Sequence, residues 1–269
     1  MTPTLSGATR VIAIVGDPIA QVKSPAGVTA ALLAHGCNAI VVPMHVAPPD
    51  FDQFMRGMQV ARNVDGIIAT VPHKFAAFQY CATSGENAHL LGAANVLRRN
   101  ADGTWHGEML DGLGFVAGML KAGCALTGQR ALLAGAGGAG SAIALALLNV
   151  GVSLLAIHDG DAARRDSLIA RLARRFPGKV QAGSADPQGF EVLANATPMG
   201  MREGDPLPLD VSQLEPSMFV GDVITVPEST PLLEMARRTG CGTQTGVGMF
   251  REVQALMVEF FLASLQPKR

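Results

Sequence analysis

The sequence predicts a two-domain α/β protein with mostly parallel sheets and a cleft between the domains. Three observations predict this class. Short β-branched runs alternate with helical patterns along nearly the whole chain, as in βαβ units. A glycine-rich turn between an apolar strand and a helix opens the second half. The length of 269 residues provides two cores of ordinary size.

Hydrophobic periodicity and turn residues place the individual elements. Strands are predicted at Val11–Val15, Ile40–Met44, Gly66–Ala69, Asn95–Arg98, Arg130–Ala134, Leu154–Ile157 and Phe219–Val223. Helices are predicted at Pro25–Leu33, Pro49–Arg62, Pro72–Tyr80, Ala139–Val150 and Ala162–Phe176.

The glycine-rich stretch "DGLGFVAGMLKAGCALTGQ" indicates a domain boundary. We predict an N-terminal αβα substrate-binding and catalytic domain over residues 1–111, and a dinucleotide-binding domain over residues 112–246. Residues 247–265 have apolar side chains at helical spacing and are predicted to pack back as a helix on the first domain. A cleft at such a domain junction is a favoured ligand site.

Composition argues against several classes of function. The net charge of −1, with one Trp and one Tyr, argues against a nucleic-acid surface. No apolar run is long enough to span a membrane, and the start "MTPTLSGATR" does not resemble a secretory signal. The scattered cysteines and histidines predict reduced thiols in a cytoplasmic protein without a metal site. A homodimer is compatible with the sequence, which leaves the oligomeric state open.

The clearest motif is the glycine-rich turn in "RALLAGAGGAGSAIALALL". Glycine permits the tight turn, the close approach of a pyrophosphate to the backbone, and close packing of the helix on the sheet. The N–H groups at the start of the helix then meet the phosphate charge. This context predicts a C-terminal Rossmann domain whose cofactor-binding residues are Gly135, Ala136, Gly137, Gly138, Ala139 and Gly140.

Asp159 ends the next strand, nineteen residues after Gly140. An acidic residue near this offset binds the hydroxyls of the adenosine ribose and repels the extra phosphate of NADP, so we predict NAD as the preferred cofactor. The alternative is that Asp159 or Asp161 only caps the following helix. Arg164 and Arg165 are interpreted as part of a solvated helix face.

The first half contains polar residues at the ends of predicted strands. The loop "VGDPIAQVKSP" carries Ser24, which is suited to an anionic substrate. "DGIIATVPHKFAAF" leads from a buried strand to Lys74, with Pro72 predicted at the first helical position. The lysine amine is suited to proton transfer, although a surface lysine is the alternative. Asp111 either partners Lys74 and a substrate hydroxyl or only caps a helix.

These pieces, in this order, resemble the shikimate dehydrogenase family over essentially the full chain. The family patterns GxPIxHSxSP, NVTxPxK, GAxNT and NTDGxG are similar to "GDPIAQVKSP", "IIATVPHK", "GAANV" and "MLDGLG". "NATPMGM", "GDVITVPESTPLL" and "GVGMF" resemble later family segments.

The resemblance implies a role for each matched position. Lys74 and Asp111 would form the catalytic pair, while Ser24, Thr70, Asn95 and Gln254 would bind substrate. The remaining cofactor contacts would be Asn195, Thr197, Pro198, Met199, Val223, Gly246 and Met249. The implied activity is reversible hydride transfer between NAD and a cyclic polyhydroxy acid of the shikimate type. A quinate or aminoshikimate-type dehydrogenase, or an NAD-binding sensor with little catalysis, remains as an alternative.

The substrate pocket departs from the family pattern at several positions. Val22 stands where the opening loop usually has its first hydroxyl, and Gln21 replaces the loop histidine. Ile68 and Thr225 replace an asparagine and a tyrosine. The late helix carries Val253 at the usual glutamine position, and Gln254 follows it, turned by about 100° around the helix. These changes leave the exact ring substrate open.

Overall fold

The computed structural model describes residues 5–265, which form two compact units. Unit 1 is the described chain before Asp111 together with the part after Val253, and unit 2 is Asp111–Val253. The predicted boundaries at 111 and 246 therefore differ from those of the compact units by one residue and by seven residues. Within the described residues, no helix is long and apolar enough to cross a membrane.

Unit 1 contains a six-stranded mixed sheet. Its strands are β1 (Arg10–Gly16), β2 (Ala39–His45), β3 (Val64–Ala69), β4 (Cys81–Ser84), β5 (Val96–Arg99) and β6 (Trp105–Glu108). Its helices are α1 (Ser24–Ala34), α2 (Phe51–Val60), α3 (Lys74–Phe78) and α4 (Glu86–Leu91).

The strand order in unit 1 is β2-β1-β3-β5-β6-β4. β1 pairs in parallel with β2 and β3, whereas β5 runs antiparallel to both β3 and β6. β1 and β3 are buried because they lie inside the sheet, and all six residues of β3 are buried. Because β1 and β3 are parallel, the loops after them leave the same edge of the sheet.

Unit 2 contains a second six-stranded sheet, which is parallel throughout. Its strands are β7 (Arg130–Ala134), β8 (Leu154–His158), β9 (Val180–Ala182), β10 (Val192–Asn195), β11 (Phe219–Asp222) and β12 (Gly242–Gln244). Its helices are α5 (Asp111–Lys121), α6 (Gly138–Asn149), α7 (Ala162–Ala173) and α8 (Pro231–Thr239), and α9 (Gly246–Leu265) begins here and ends in unit 1.

The order β12-β11-β10-β7-β8-β9 is the Rossmann arrangement, with the first strand of the unit at the centre. The chain first builds outward from β7 through β8 to β9, and then continues on the other side from β10 to β12. Ligands of such sheets bind outside the carboxyl ends of the strands where the order reverses, here between β7 and β10. The predicted Rossmann class is confirmed.

The glycine-rich stretch interpreted as a boundary is a helix-packing surface in unit 2. A Cβ on Gly112 would lie 2.0 Å from the carbonyl oxygen of Ala142 in α6, and one on Gly114 would lie 2.3 Å from Val253. Glycine in α5 thus permits the backbones to approach closely. Residues 111–121 of the stretch form helix α5, and the boundary between the two units lies at its first residue, Asp111.

The predicted strands all occur, with ends shifted by up to two residues, but five short strands were missed. β4, β6, β9, β10 and β12 span only three or four residues each, which is too short for a clear alternating pattern. The prediction that Pro72 begins a helix was wrong: α3 begins at Lys74, and Pro72 lies in the preceding loop.

Candidate functional site

Two loops at the carboxyl edge of the unit 1 sheet are joined by backbone hydrogen bonds. The N–H of Thr70 donates to the carbonyl of Val15 at 2.9 Å, and the N–H of Asp17 donates to the carbonyl of Val71 at 2.9 Å. A Cβ on Gly16 would lie 2.4 Å from Cγ2 of Thr70, so glycine is required for this contact. The opening loop and the loop before Lys74 therefore share one fixed junction.

Lys74 is only 8% exposed, which excludes an ordinary surface lysine. It is the first residue of α3, directly after His73. The imidazole of His73 stacks on Phe51 at a centroid distance of 4.4 Å, and its Nε2 lies 2.8 Å from the carbonyl oxygen of Val46. His73 therefore fixes the backbone from which Lys74 projects.

Asn95 lies beside the same segment and is 1% exposed. Its N–H donates to the carbonyl of Glu108 at 3.0 Å, and its own carbonyl accepts from Ala69 at 2.8 Å. The preceding N–H, that of Ala94, donates to the carbonyl of Lys74 at 2.9 Å. The structure thus brings together Thr70, Lys74 and Asn95, as the sequence predicts, at the carboxyl end of β3.

Asn95 also fixes the end of unit 1. Its Oδ1 accepts a hydrogen bond of 2.8 Å from the N–H of Leu110. Leu110 is followed directly by Asp111, which begins α5 and is 7% exposed. The orientation of the chain entering Asp111 is therefore set by a predicted substrate-binding side chain.

Ser24 and Gln254 both lie at helix α1. Ser24 is the first residue of α1 and is 4% exposed, and no hydrogen bond of its hydroxyl occurs within residues 5–265. The side chain of Gln254 lies on Gly27, where a Cβ would meet its Oε1 at 2.2 Å. Gln254 therefore faces α1 one turn after Ser24, while its neighbour Val253 packs on α5.

In unit 2, the glycine-rich turn fits a dinucleotide. A Cβ on Gly140 would lie 2.0 Å from the carbonyl oxygen of Gly135, so this glycine is needed for the turn itself. Gly135 in turn lies against the loop after β10, where a Cβ on it would approach the carbonyl group of Ala196 to 2.9 Å. A Cβ on Gly137, at the N-terminus of α6, would meet no protein atom within 4 Å, which leaves room for a phosphate against bare backbone.

Asp159 is tied to this turn. Its Oδ2 accepts from the N–H of Ala136 at 2.6 Å, and its Oδ1 accepts from the N–H of Asp161 at 2.8 Å. Burial raises the pKa of the Asp159 carboxyl, but the hydrogen bonds from Arg164, Asp161 and Ala136 outweigh it and hold the pKa below its usual value. Asp159 is therefore ionised at neutral pH, beside the position expected for the adenosine ribose.

Asp161 is the residue that caps α7, where its side chain accepts from the N–H of Arg164 at 3.1 Å. Arg164 lies on α7 and is exposed, as the sequence predicts, but it also makes an ion pair. Its guanidinium donates to both oxygens of Asp159, from Nη2 at 2.6 Å and from Nε at 3.2 Å. Arg165 instead pairs with Asp166 at 2.8 Å.

The loop after β10 is held by a buried aspartate. Nδ2 of Asn195 lies 3.2 Å from each oxygen of Asp222, and Oδ1 of Asn195 accepts from the N–H and the hydroxyl of Thr197. Asn195 is 0% exposed, so its side chain shapes the loop from beneath. Pro198 and Met199 lie at the exposed part of this loop.

Asp222 is itself fully buried and collects donors from several segments. The N–H of Ile224 donates at 2.9 Å, and the hydroxyl of Thr230, which caps α8, donates at 2.8 Å. Burial raises the pKa of the Asp222 carboxyl, although these hydrogen bonds oppose the rise. The sequence reasoning missed this residue. Its position at the end of an apolar strand, in "FVGDVITVP", was the signal that could have found it.

Three further predicted cofactor residues lie beside these loops. The N–H of Val223 donates to the carbonyl of Asn195 at 3.1 Å. A Cβ on Gly246 would lie 2.5 Å from the carbonyl oxygen of Val223, and Met249 follows one turn later on α9 with 8% exposure. The loop after β11 is therefore packed between the loop after β10 and the start of α9.

Comparisons with known proteins agree with this architecture. Residues 14–97 match the model of the shikimate dehydrogenase substrate binding domain. A shikimate dehydrogenase (NADP(+)) of Rubrobacter xylanophilus is 36% identical over 250 residues, covering 91% of this chain and 87% of that protein.

Solved structures show the same likeness. Shikimate 5-dehydrogenase from Listeria monocytogenes, in complex with shikimate and NAD, is 26% identical with a TM-score of 0.86, covering 99% of this chain and 96% of that one. Quinate dehydrogenase from Corynebacterium glutamicum, in complex with NAD, is 27% identical with a TM-score of 0.85, covering 96% and 95%. The chain therefore belongs to the shikimate dehydrogenase family of NAD(P)-dependent oxidoreductases that act on a CH–OH group.

Proposed function

We propose that this protein is an NAD-dependent dehydrogenase of a cyclic polyhydroxy acid of the shikimate or quinate type, with Lys74 and Asp111 as its catalytic pair. The observation that carries the proposal is the burial of Lys74 at a strand end beside Thr70 and Asn95. An amine is costly to bury inside a protein, and a buried lysine at such a place is typical of a chemical role. Residues 1–111 bind substrate in this proposal, and residues 112–246 bind NAD.

The proton and the hydride leave the substrate separately. Bound NAD would supply the acceptor for the hydride of the carbinol carbon. The amine of Lys74 takes the hydroxyl proton, and the carboxylate of Asp111 balances the charge of the resulting ammonium group. In the reverse direction Lys74 returns the proton to the oxygen. The hydrogen bond from Leu110 to Asn95 supports this pairing because it fixes the chain one residue before Asp111.

Substrate orientation is assigned to side chains of unit 1. Ser24 receives the carboxylate, Thr70 and Asn95 orient the ring hydroxyls, and Gln254 completes the pocket from α9. The contact of Gln254 with Gly27 supports its inclusion, since it places the side chain one turn from Ser24. Together these groups hold the reacting carbon in one orientation, which lowers the barrier to hydride transfer.

The preference for NAD over NADP rests on Asp159. Its ionised carboxylate is suited to ribose hydroxyls and is repelled by a phosphate at the same place. The Rubrobacter relative is named for NADP(+), whereas the Listeria and Corynebacterium structures contain NAD. In the glycine-rich turn of this chain, Gly135, Gly137 and Gly140 would hold the pyrophosphate.

Quinate, or an aminoshikimate-like acid, is the second candidate substrate. The family usually has a hydroxyl at two positions of the opening loop, and Val22 supplies none at the first of them. A substrate carboxylate would therefore have only the hydroxyl of Ser24 to bind there. Losing one hydrogen bond to a charged group costs about 1.5–3 kcal/mol, or roughly tenfold to a hundredfold in affinity. We expect weak binding of shikimate and better turnover of a ring acid with different substituents.

The substitution Lys74→Met tests the catalytic assignment because it nearly keeps the length of the side chain and removes the amine. We expect kcat to fall by roughly 100- to 10,000-fold, the usual contribution of a positioned acid–base group. The dissociation constant of NAD, measured by titration calorimetry, should stay unchanged. Lys23→Met is the matched control, since Lys23 is exposed on the opening loop, and it should retain turnover.

Wild-type turnover in Lys74→Met would refute the role of Lys74. Binding of NAD without hydride transfer to shikimate, quinate or amino analogues in the unmodified protein would instead favour a sensor that binds NAD with little catalysis.

A further inference from the structure

The loops after β10 and β11 lie on the other side of β7 from Asp159. A dinucleotide spans both halves of a Rossmann sheet, so a cofactor whose adenosine half lies at β7 and β8 has its nicotinamide half at β10 and β11. Apolar side chains are exposed on these loops: Met199 is 38% exposed and Val226 is 47% exposed. The two loops therefore form the part of unit 2 that would face the nicotinamide ring.

One buried carboxylate, that of Asp222 at the end of β11, holds both loops. Its Oδ1 accepts from the N–H of Ile224, in the loop after β11, at 2.9 Å. Both of its oxygens lie 3.2 Å from Nδ2 of Asn195, at the end of β10. Its Oδ2 also accepts from the hydroxyl of Thr230, which caps α8, at 2.8 Å. Three segments of unit 2 thus share one acceptor.

Asn195 extends this link from the core to the exposed loop. Its Oδ1 accepts from the N–H of Thr197 at 3.0 Å and from the hydroxyl of Thr197 at 2.7 Å. That hydroxyl oxygen accepts from the N–H of Met199 at 3.1 Å, and Nδ2 of Asn195 donates to the carbonyl of Met199 at 3.3 Å. Because Asn195 is 0% exposed, it influences the surface only through these hydrogen bonds.

The glycine-rich turn is held by contacts that do not involve this carboxylate. The N–H of Ala136 donates to Oδ2 of Asp159 at 2.6 Å. Gly135 lies against the backbone of Ala196, which is fixed by a hydrogen bond of 2.8 Å from its own N–H to the carbonyl of Ala134 in β7. A change in the buried carboxylate should therefore disturb the loops after β10 and β11 and leave the turn in place.

The carboxylate of Asp222 suits its partners because an ionised carboxyl group accepts hydrogen bonds at both oxygens and donates none. Asp222→Asn would keep the shape of the side chain but replace one acceptor with an NH2 group. Nδ2 of Asn195 lies equally close to both oxygens, so either orientation of the new amide places its NH2 group against that of Asn195. The substitution therefore breaks the link between the two loops without leaving a cavity.

We propose that Asp222 is a positioning residue for the nicotinamide half of the cofactor. It holds the loop after β10 through Asn195 and the loop after β11 through Ile224, and it thereby sets the orientation in which the nicotinamide ring binds. Asn195 acts through the loop and not by direct contact with the cofactor. This inference rests on the proposed function, which assigns NAD to unit 2.

The test is calorimetric binding of NAD and of ADP-ribose, which lacks the nicotinamide, to the full chain. Asp222→Asn should weaken NAD by about tenfold and leave ADP-ribose unchanged. The kcat for a ring acid should fall by roughly a hundredfold, the cost of a small misplacement of reacting groups. A purely structural role would not separate the two ligands. If Asp222→Asn does not fold, Asn195→Ala carries the test, because it cuts the link to Thr197 and should show the same separation.

Leu172→Ala is the control for lost stability, since Leu172 is fully buried on α7, which packs on β8 and β9. It should lower the melting temperature and leave both affinities unchanged. An equal loss of NAD and ADP-ribose binding in Asp222→Asn, or no loss of either, would overturn the inference while NAD binding by the wild type stands. If the wild type binds ADP-ribose and NAD with no turnover of any ring acid, the proposed function fails, and the separation of the two ligands still decides the role of Asp222.

Discussion

The opening loop of unit 1 and the glycine-rich turn of unit 2 each follow the first strand of their unit, but the binding proposed for them differs. The turn, residues 135–140, would bind through its backbone, because Gly140 permits its shape and Gly137 leaves a bare N-terminus on α6. The opening loop, residues 16–25, would bind through its side chains, of which Ser24 is buried and Val22 is apolar.

This difference explains why one loop keeps the family pattern and the other does not. The pyrophosphate is the same in NAD and NADP, and only glycine leaves the backbone accessible to it. A substrate pocket can change one side chain at a time without disturbing the fold, because local hydrogen bonds such as Gln21 Nε2 to the carbonyl of Pro18, at 2.9 Å, hold the loop.

The largest effect is expected from a substitution in the glycine-rich turn. Gly137→Ala introduces a methyl group where no described residue other than its chain neighbours lies within 4 Å, so the melting temperature should stay close to that of the wild type. NAD affinity should fall roughly a hundredfold, because the methyl group occupies the approach to the pyrophosphate. Calorimetry with NAD and thermal unfolding separate these two effects.

Gly140→Ala is the partner experiment, since its methyl group would meet the carbonyl oxygen of Gly135 at 2.0 Å. It should lower the free energy of unfolding by about 1–3 kcal/mol as an overpacked site. If Gly137→Ala binds NAD as the wild type does, the turn is not a pyrophosphate site.

A smaller effect is expected from a substitution in the opening loop. Val22→Ser restores a hydroxyl near Ser24 and should lower the KM of shikimate by roughly tenfold to a hundredfold. The KM of NAD should be unaffected, because the change lies in unit 1. Val22→Ala is the control that removes the same apolar group without adding a donor. An equal gain in both variants would show that bulk, and not hydrogen bonding, limits the wild type.

The smallest effect is expected in the pH dependence of stability, to which Asp159 contributes. The folded-state pKa of Asp159 is lowered, so its contribution to stability is present above the unfolded pKa of about 3.9 and is lost as the pH falls through the folded value. Asp159→Asn should therefore unfold with a weaker acid dependence than the wild type. The difference should be at most about 1 kcal/mol, because Arg164 is half exposed. Chemical denaturation measures the free energy of unfolding of both proteins as a function of pH. If the two pH profiles ran parallel, they would contradict this account.

Much of the fold could be predicted because long buried strands and glycine turns leave strong local signals. β1, β3 and β7 are apolar runs followed by motif loops, and they were placed within two residues. The three-residue strands β9 and β12 have no such signal, and their pairing depends on neighbours distant in sequence. The close packing of the α5 glycines could not be predicted, because the sequence alone does not show that Ala142 and Val253 would lie against them.

In the candidate site, too, some features have a local signal in the sequence and others depend on residues distant in sequence. The positions of Thr70, Lys74 and Asn95 follow from strand ends, which the sequence marks. The contacts of His73 with Phe51, of Asp222 with Asn195, and of Arg164 with Asp159 depend on side-chain orientation in three dimensions. Arg164 in particular is exposed near the start of α7, and the sequence does not show that it contacts Asp159 in the preceding loop.

The most direct test of the proposed function is the rate at which the purified wild-type protein reduces NAD in the presence of shikimate or quinate, followed by the absorbance of NADH. We expect turnover with at least one of these ring acids, with a lower KM for NAD than for NADP and a high KM for shikimate. Absence of NADH formation with every ring acid, in a protein that binds NAD, would contradict the assignment.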